Sequence, residues 1–190
     1  MKIMRFTQKI ESAAAKIDFL YWLTSQYYKS VVGREIRLAK INSQDRILCI
    51  GGGNCPFSAI LLHQKTGAKV TVIDNDFSCV RCAQNTVERL GLSENISVLY
   101  QDGNCPDFSV SEFSVVHFAL QISPAQEVFD NLTRRVSPKT KLLIRRPKNA
   151  LQNMYCRFAK IKSENCDCIK HTAACNIGST LLYVKQETAA

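Results

Sequence analysis

The sequence predicts a doubly wound α/β fold: a mostly parallel seven-stranded sheet with a C-terminal antiparallel hairpin and N-terminal helices. Three observations lead there. Short apolar, β-branched runs alternate with helix-length amphipathic segments, the signature of βαβ units. Three consecutive glycines, Gly51 to Gly53, separate the first such run from the helix that follows it. The chain closes on two strand-like runs joined by a turn, which adds antiparallel pairing to a sheet otherwise built by crossovers.

In order, the first forty residues read as helical. Ile10, Ala13, Ala14, Ile17, Leu20 and Tyr21 recur three and four apart, and a second short helix is expected from Gly33 to Ile41. Arg46 to Ile50 (RILCI) is the first strand, and PFSAILLHQ a helix with Pro56 suited to its first turn. Lys69 to Asp74 (KVTVID) is the second strand, and Phe77 to Leu90 a helix stopped by Gly91. Ile96 to Gln101 and Phe113 to Leu120 are the third and fourth strands. A helix from Ser123–Pro124 to about Val136 separates the latter from Lys141 to Arg145, a fifth strand halted by Pro147. A helix from about Asn149 to Lys160 precedes the hairpin, Cys168 to Ala174 and Thr180 to Gln186, with its turn at Asn176–Gly178. The expected organisation is a helical cap over 1–44 and one ligand-binding unit over 45–190.

Composition bounds the function. With 190 residues, 46% hydrophobic and 22% charged, the chain is an ordinary globular domain and not a disordered or collagen-like one. No apolar run is long enough to span a membrane, and the charged N-terminus lacks a secretory core, so a cytoplasmic location is expected. The net charge of +9 favours anionic partners. The basic residues are scattered, without a basic tail or zinc-finger spacing, so nucleic acid is the less favoured partner and a small molecule the expected one, with a homodimer left open. Nine cysteines in a chain of this size read as reduced thiols.

The glycine loop carries the sharpest chemical signal. Glycines after a strand let the backbone turn tightly and approach a ligand, and the next helix offers free N–H groups. Asp74 ends the second strand about 20 residues on, the offset of a carboxylate that bonds ribose hydroxyls. Asp102 follows the third strand, placed to accept from an exocyclic amine. Together they point to a nucleoside site at the carboxyl edge of the sheet. A dinucleotide site is disfavoured because Pro56 stands where the last glycine of G-x-G-x-x-G would fall.

The order of elements, the loop ILCIGGGNCP, the acid in VTVIDND, the QDG after the third strand and the terminal hairpin resemble class I S-adenosylmethionine-dependent methyltransferases, with their Rossmann-like fold. The resemblance implies S-adenosylmethionine as cosubstrate, with Gly51, Gly52, Gly53, Asp74, Asn75, Asp102, Gly103 and Ala119 around it. Cys49 and Cys55 depart from the usual acid and third glycine of that loop. A narrower segment is similar to nicotianamine synthases: GGGNCP keeps the outer glycines and proline of their G-x-G-P-x-P loop, and Asp74-Asn75-Asp76 matches their D-I-D. Tyr27-Tyr28 resembles their tyrosine pair, and RRPKNALQNMYCRF their strand-five segment. That resemblance implies Tyr28 and Glu35 as catalytic groups, with Tyr27 and Arg145 on the substrate, and transfer of an aminocarboxypropyl group as the alternative to methyl transfer.

Outside these motifs, the repeated GNCP at Gly53–Pro56 and Gly103–Pro106 places Cys55 and Cys105 on one sheet edge. With Cys79 and Cys82 they raise a separate, metal-binding reading. His117 inside the fourth strand reads as a core imidazole.

Overall fold

The computed structural model describes residues 18–156, 161, 166–172 and 176–186. It contains helices α1 (Asp18–Ala39), α2 (Phe57–Thr66), α3 (Phe77–Arg89) and α4 (Ala125–Arg135), and strands β1 (Arg46–Ile50), β2 (Lys69–Asp74), β3 (Ile96–Tyr100), β4 (Val115–Phe118), β5 (Lys141–Pro147), β6 (Asp167–Lys170) and β7 (Ile177–Val184). One seven-stranded sheet runs in the order β3-β2-β1-β4-β5-β7-β6. The first five strands pair in parallel and β7 is antiparallel to both β5 and β6.

Strand alternation builds two cores. Ile47, Cys49, Val72, Val115 and Leu143 face α1, α2 and α3, burying Val32, Ile60 and Val87. Leu48, Ile50, Val116, Phe118 and Ile144 face the other way, onto Val128 and Leu132 of α4. Covering both faces is what near-continuous apolar strands require. Strand order reverses between β1 and β4, so their carboxyl ends open a crevice where ligands of such sheets bind.

Several elements differ from expectation. The chain does not break near Gly33; α1 runs unbroken to Ala39, because Val31, Val32, Glu35 and Ala39 form one buried stripe across the glycine. Tertiary packing outweighs the glycine's poor propensity. The fourth strand is only Val115–Phe118, and β5 continues to Pro147, where a register shift against β7 accommodates the missing N–H. A 3-10 turn, Asn149–Met154, replaces the expected start of a helix. Strand β7 begins at Ile177, inside the expected turn. The stripe residues before Asp18, and the expected helix and hairpin positions at 157–160 and 173–174, lie outside the described residues.

Candidate active site

The crevice is a cavity of about 840 Å³, within the range of small-molecule sites. All eight residues expected around the cosubstrate border it, as do Tyr28 and Arg145. Glu35 does not. Tyr27 lies within α1, and its side chain is outside the described part of the structure.

The first wall is the loop after β1. Gly51 and Gly53 have φ of 81° and 60°, a region that side chains avoid. Gly51 N–H donates to the Ile73 carbonyl (2.9 Å), and Gly53 N–H donates to Asp74 Oδ2 (2.8 Å). Asp74 Oδ1 accepts from the Asp76 N–H (3.0 Å), so one carboxylate ties the glycine loop to the end of β2. A carboxylate offers about four lone-pair directions, and both oxygens therefore keep acceptor capacity for a ligand. Asp76 caps α3 by accepting from the Ser78 and Cys79 N–H groups. Its carboxyl is lowered, first by the Ser78 side chain and then by the Cys79 backbone.

Gly52 is required for space. A Cβ there would overlap Cγ1 of buried Val72. Gly52→Ala is expected to destabilise the fold by about 1–3 kcal/mol, through overpacking of a side chain that cannot swing aside. Denaturant midpoints check this, and adding Val72→Ala should restore part of the loss; no restoration would place the strain elsewhere.

The second wall is the turn after β3. Asp102 Oδ1 accepts from the Asn104 N–H (2.8 Å), and the Asn104 side chain in turn donates to Glu127 Oε1 on α4 (2.8 Å). Arg135 of the same helix donates to the Pro106 and Phe108 carbonyls. The turn carrying Asp102 and Gly103 is thus fastened to α4.

At the opposite end lies a buried ionic cluster. Alternation puts Cys49, His117, Arg145 and Thr180 on one face of adjacent strands, beneath Glu35 of α1. Arg145 donates from Nε to Glu35 Oε1 and from Nη2 to Glu35 Oε2, each at 2.8 Å, and from Nη1 to Ser58 Oγ at 2.8 Å. Thr180 Oγ1 donates to Glu35 Oε1 (2.8 Å), and His117 Nε2 lies 3.3 Å from Glu35 Oε2. His171 Nε2 lies 2.8 Å from Thr180 Oγ1, whose proton is committed to Glu35, so the imidazole is the donor there. Burial alone would raise the Glu35 carboxyl, but Arg145 and then His117 overcome it and hold it well below the usual carboxylate range. Burial opposes the Arg145 charge, and Glu35 more than restores it. Burial, then Arg145, lowers His117; a neutral ring donating through Nε2 fits this arrangement.

Tyr28 is stacked on Phe57 with centroids 5.6 Å apart and planes 9° apart, and the Arg145 guanidinium carbon sits 5.6 Å from the Tyr28 centroid. His117 borders the cavity and joins the ionic cluster, a more specific placement than a core imidazole. For Glu35 the geometry supplies an anchor, its carboxylate accepting from Arg145 and Thr180 with His117 Nε2 beside it. Ser58, Thr180 and His171 carried no sequence signal, since ordinary polar residues on distant elements meet only in the fold.

Among the described residues no group of three His, Cys, Asp or Glu side chains is placed to hold a metal. Cys55 and Cys79 are buried at the cavity while Cys105 is exposed. Burial, then Asp74 and Asp76, pushes the Cys79 thiol up to about 12, the reverse of what a thiolate ligand needs.

No family model matches the chain. Among curated proteins it is similar to L-histidine 2-aminobutanoyltransferase of Yersinia pestis, 27% identical over 124 residues, covering 65% of this chain and 45% of that protein. The chain thus aligns with less than half the length of this relative. Among solved structures, MtNAS in complex with MTA and tNA superposes with a TM-score of 0.77 at 21% identity, covering 94% of this chain and 71% of that one. An MtNAS variant in complex with S-adenosylmethionine gives 0.77 at 20%, covering 97% and 75%. An RNA methyltransferase from Salinibacter ruber in complex with S-adenosyl-L-homocysteine gives 0.67 at 18%, covering 84% and 93%. With the strand order, glycine loop and terminal hairpin, these likenesses establish that the chain has the class I S-adenosylmethionine-dependent methyltransferase fold, in a form it shares with nicotianamine synthase.

Proposed function

We propose that the chain is an S-adenosylmethionine-dependent transferase acting on a small, amino-acid-like acceptor. The observation that carries this reading is the glycine loop bonded to Asp74 at the sheet's switch point, in the same cavity as a buried arginine. In this reading Gly51, Gly52 and Gly53 lie along the methionine part, Asp74 takes the ribose hydroxyls, and Asn75, Asp102 and Gly103 surround the adenine. Ala119 floors the crevice. Tyr28 and Tyr27 line the acceptor side, and residues 1–44 act as a cap over the 45–190 unit.

The chemistry asks little of the protein. The acceptor's lone pair forms a bond to the carbon next to the sulfonium, and the carbon–sulfur pair leaves on a neutral thioether. Alignment supplies most of the acceleration. Attack at the methyl carbon makes the chain a methyltransferase and releases S-adenosylhomocysteine. A second reading, attack at the Cγ carbon with transfer of the aminocarboxypropyl group and release of methylthioadenosine, is favoured by one specific observation: the curated relative is a 2-aminobutanoyltransferase. A cytoplasmic location suits both, since nine cysteines in a chain of this size read as reduced thiols. Mass spectrometry of turnover with S-adenosylmethionine and cell extract decides the matter. One of the two nucleoside products is expected, and neither product above background would sink the transferase reading.

A further inference from the structure

The net charge of +9 is unevenly placed. Between residues 29 and 69 stand seven lysines and arginines and two acids, and both acids, Glu35 and Asp45, are buried. The fold draws these cations, scattered along the sequence, onto one outer track. On α1 and just past its end, Lys29, Arg37 and Lys40 are exposed and Arg34 is half-buried. Steps of three and four residues keep such positions on one side of a helix, here over about 16 Å of its axis. Arg34 Nη1 donates to the Lys170 carbonyl (2.7 Å), which seats exposed Lys170 of β6 beside the helix. Past Lys40, the exposed turn 42–44 lies against the end of α2, since a Cβ on Gly67 would meet Ser43 Cβ at 3.4 Å. Exposed Lys65 and Lys69 flank that glycine. Arg46, opposite Lys69 in the sheet, is tied to Glu112 (2.9 Å) and adds little free charge. Helix-dipole stabilisation accounts for Arg37 and Lys65, each in a last helical turn. It does not account for Lys29, more than two turns from the end of α1, or for Lys69 at the start of a strand.

We infer that this track is a docking surface for the phosphate backbone of duplex nucleic acid, bound without readout of its sequence and apart from the cavity. Three features select that partner. A duplex strand carries a phosphate about every 3.4 Å along its axis, so the α1 side alone faces about five. Among the described residues the exposed large hydrophobic side chains are Phe77, Leu99, Tyr100 and Val184, on α3, β3 and β7 and not on the track. The described track thus supplies neither aromatic platforms for unstacked bases nor an apolar anchor for a lipid surface. The cavity border, by contrast, carries Asp74, Asp76 and Asp102, which repel phosphates and leave the track as the favourable face. The nucleic acid is therefore a bound partner and not the acceptor.

The test uses the full chain and a fluorescent DNA duplex of mixed sequence, followed by anisotropy. A Kd between about 1 and 100 μM is expected in roughly 0.1 M salt, and within about threefold of that for a second sequence of equal length. With about five phosphates neutralised, log K should fall against log salt with a slope of about −4.5. Lys29→Gln combined with Arg37→Gln should flatten that slope by about two. Arg81→Gln combined with Arg134→Gln, which removes two exposed cations off the track, should leave it within about half a unit. Saturating duplex should leave S-adenosylmethionine binding as it is in the free protein, within about threefold. A Kd above about 1 mM, or equal flattening by the off-track pair, would overturn the inference. So would equal competition by polyglutamate, tighter binding to phosphatidylserine vesicles, or displacement of S-adenosylmethionine by the duplex. None of these outcomes bears on the transferase reading, whose own test is the nucleoside product.

Discussion

Asp74→Ala is expected to lower S-adenosylmethionine affinity by at least about 100-fold. Two effects combine. On the proposed reading the variant loses the acceptor for two ribose hydroxyls, and hydrogen bonds to a charged partner are worth about 1.5–3 kcal/mol each. It also frees the Gly53 and Asp76 N–H groups that Asp74 now holds, at 2.8 and 3.0 Å, so the glycine loop loses its tie to β2. Asp74→Asn separates the two: the amide oxygen can still accept from one backbone N–H, so the loop is partly retained while the charge at the ribose is lost. Calorimetric titration of both variants measures the split. Affinity within threefold of wild type in Asp74→Ala would mean that the ribose lies elsewhere.

The second large effect concerns stability. Arg145→Met removes the one arginine or lysine that, among the described residues, is bonded to the fully buried Glu35 carboxylate, and an uncompensated buried charge costs about 3–5 kcal/mol. The sign with pH follows from the shifts. In the wild type Glu35 is held below its ordinary value, so its contribution is present above that value and is lost only as strong acid carries the pH through the lowered one. In the variant burial acts without its counterweight and raises the carboxyl. That protein is most stable below the ordinary carboxylate value and weakens as pH rises through the raised one. Without Arg145 nearby, His117 takes a proton more readily, which trims the loss. Urea melts of both proteins from acid to neutral pH should diverge as pH rises. Parallel curves would mean that Glu35 does not carry a buried charge.

Much of this architecture is legible in the residues. Strands β1, β2 and β3 follow from β-branched apolar runs ending at glycines or acids, and their bounds come within a residue or so of those expected. The elements misread are those where local preference and packing disagree. Gly33 looks like a break, yet it sits within a stripe buried against the sheet. Pro147 looks like a stop, yet it joins β5 at a register shift. The glycine-loop end of the cavity is equally legible as a place, because Gly51–Gly53, Asp74 and Asp102 are tied to strand ends, and strand ends are readable from period and punctuation.

By itself, then, the sequence determined the order of elements, the parallel sheet with its terminal hairpin, and the loop and two carboxylates at its edge. Each of these depends on neighbours a few residues apart, whose chemistry is written contiguously. Only the tertiary structure decided what Glu35, His117, Arg145 and Thr180 are to one another. They lie 28 to 145 residues apart along the chain, and nothing local distinguishes a helix-face glutamate from a buried counter-ion. Strand order and side-chain alternation put them on one face, and burial there turns four ordinary polar residues into a single charge-balanced unit at the end of the cavity.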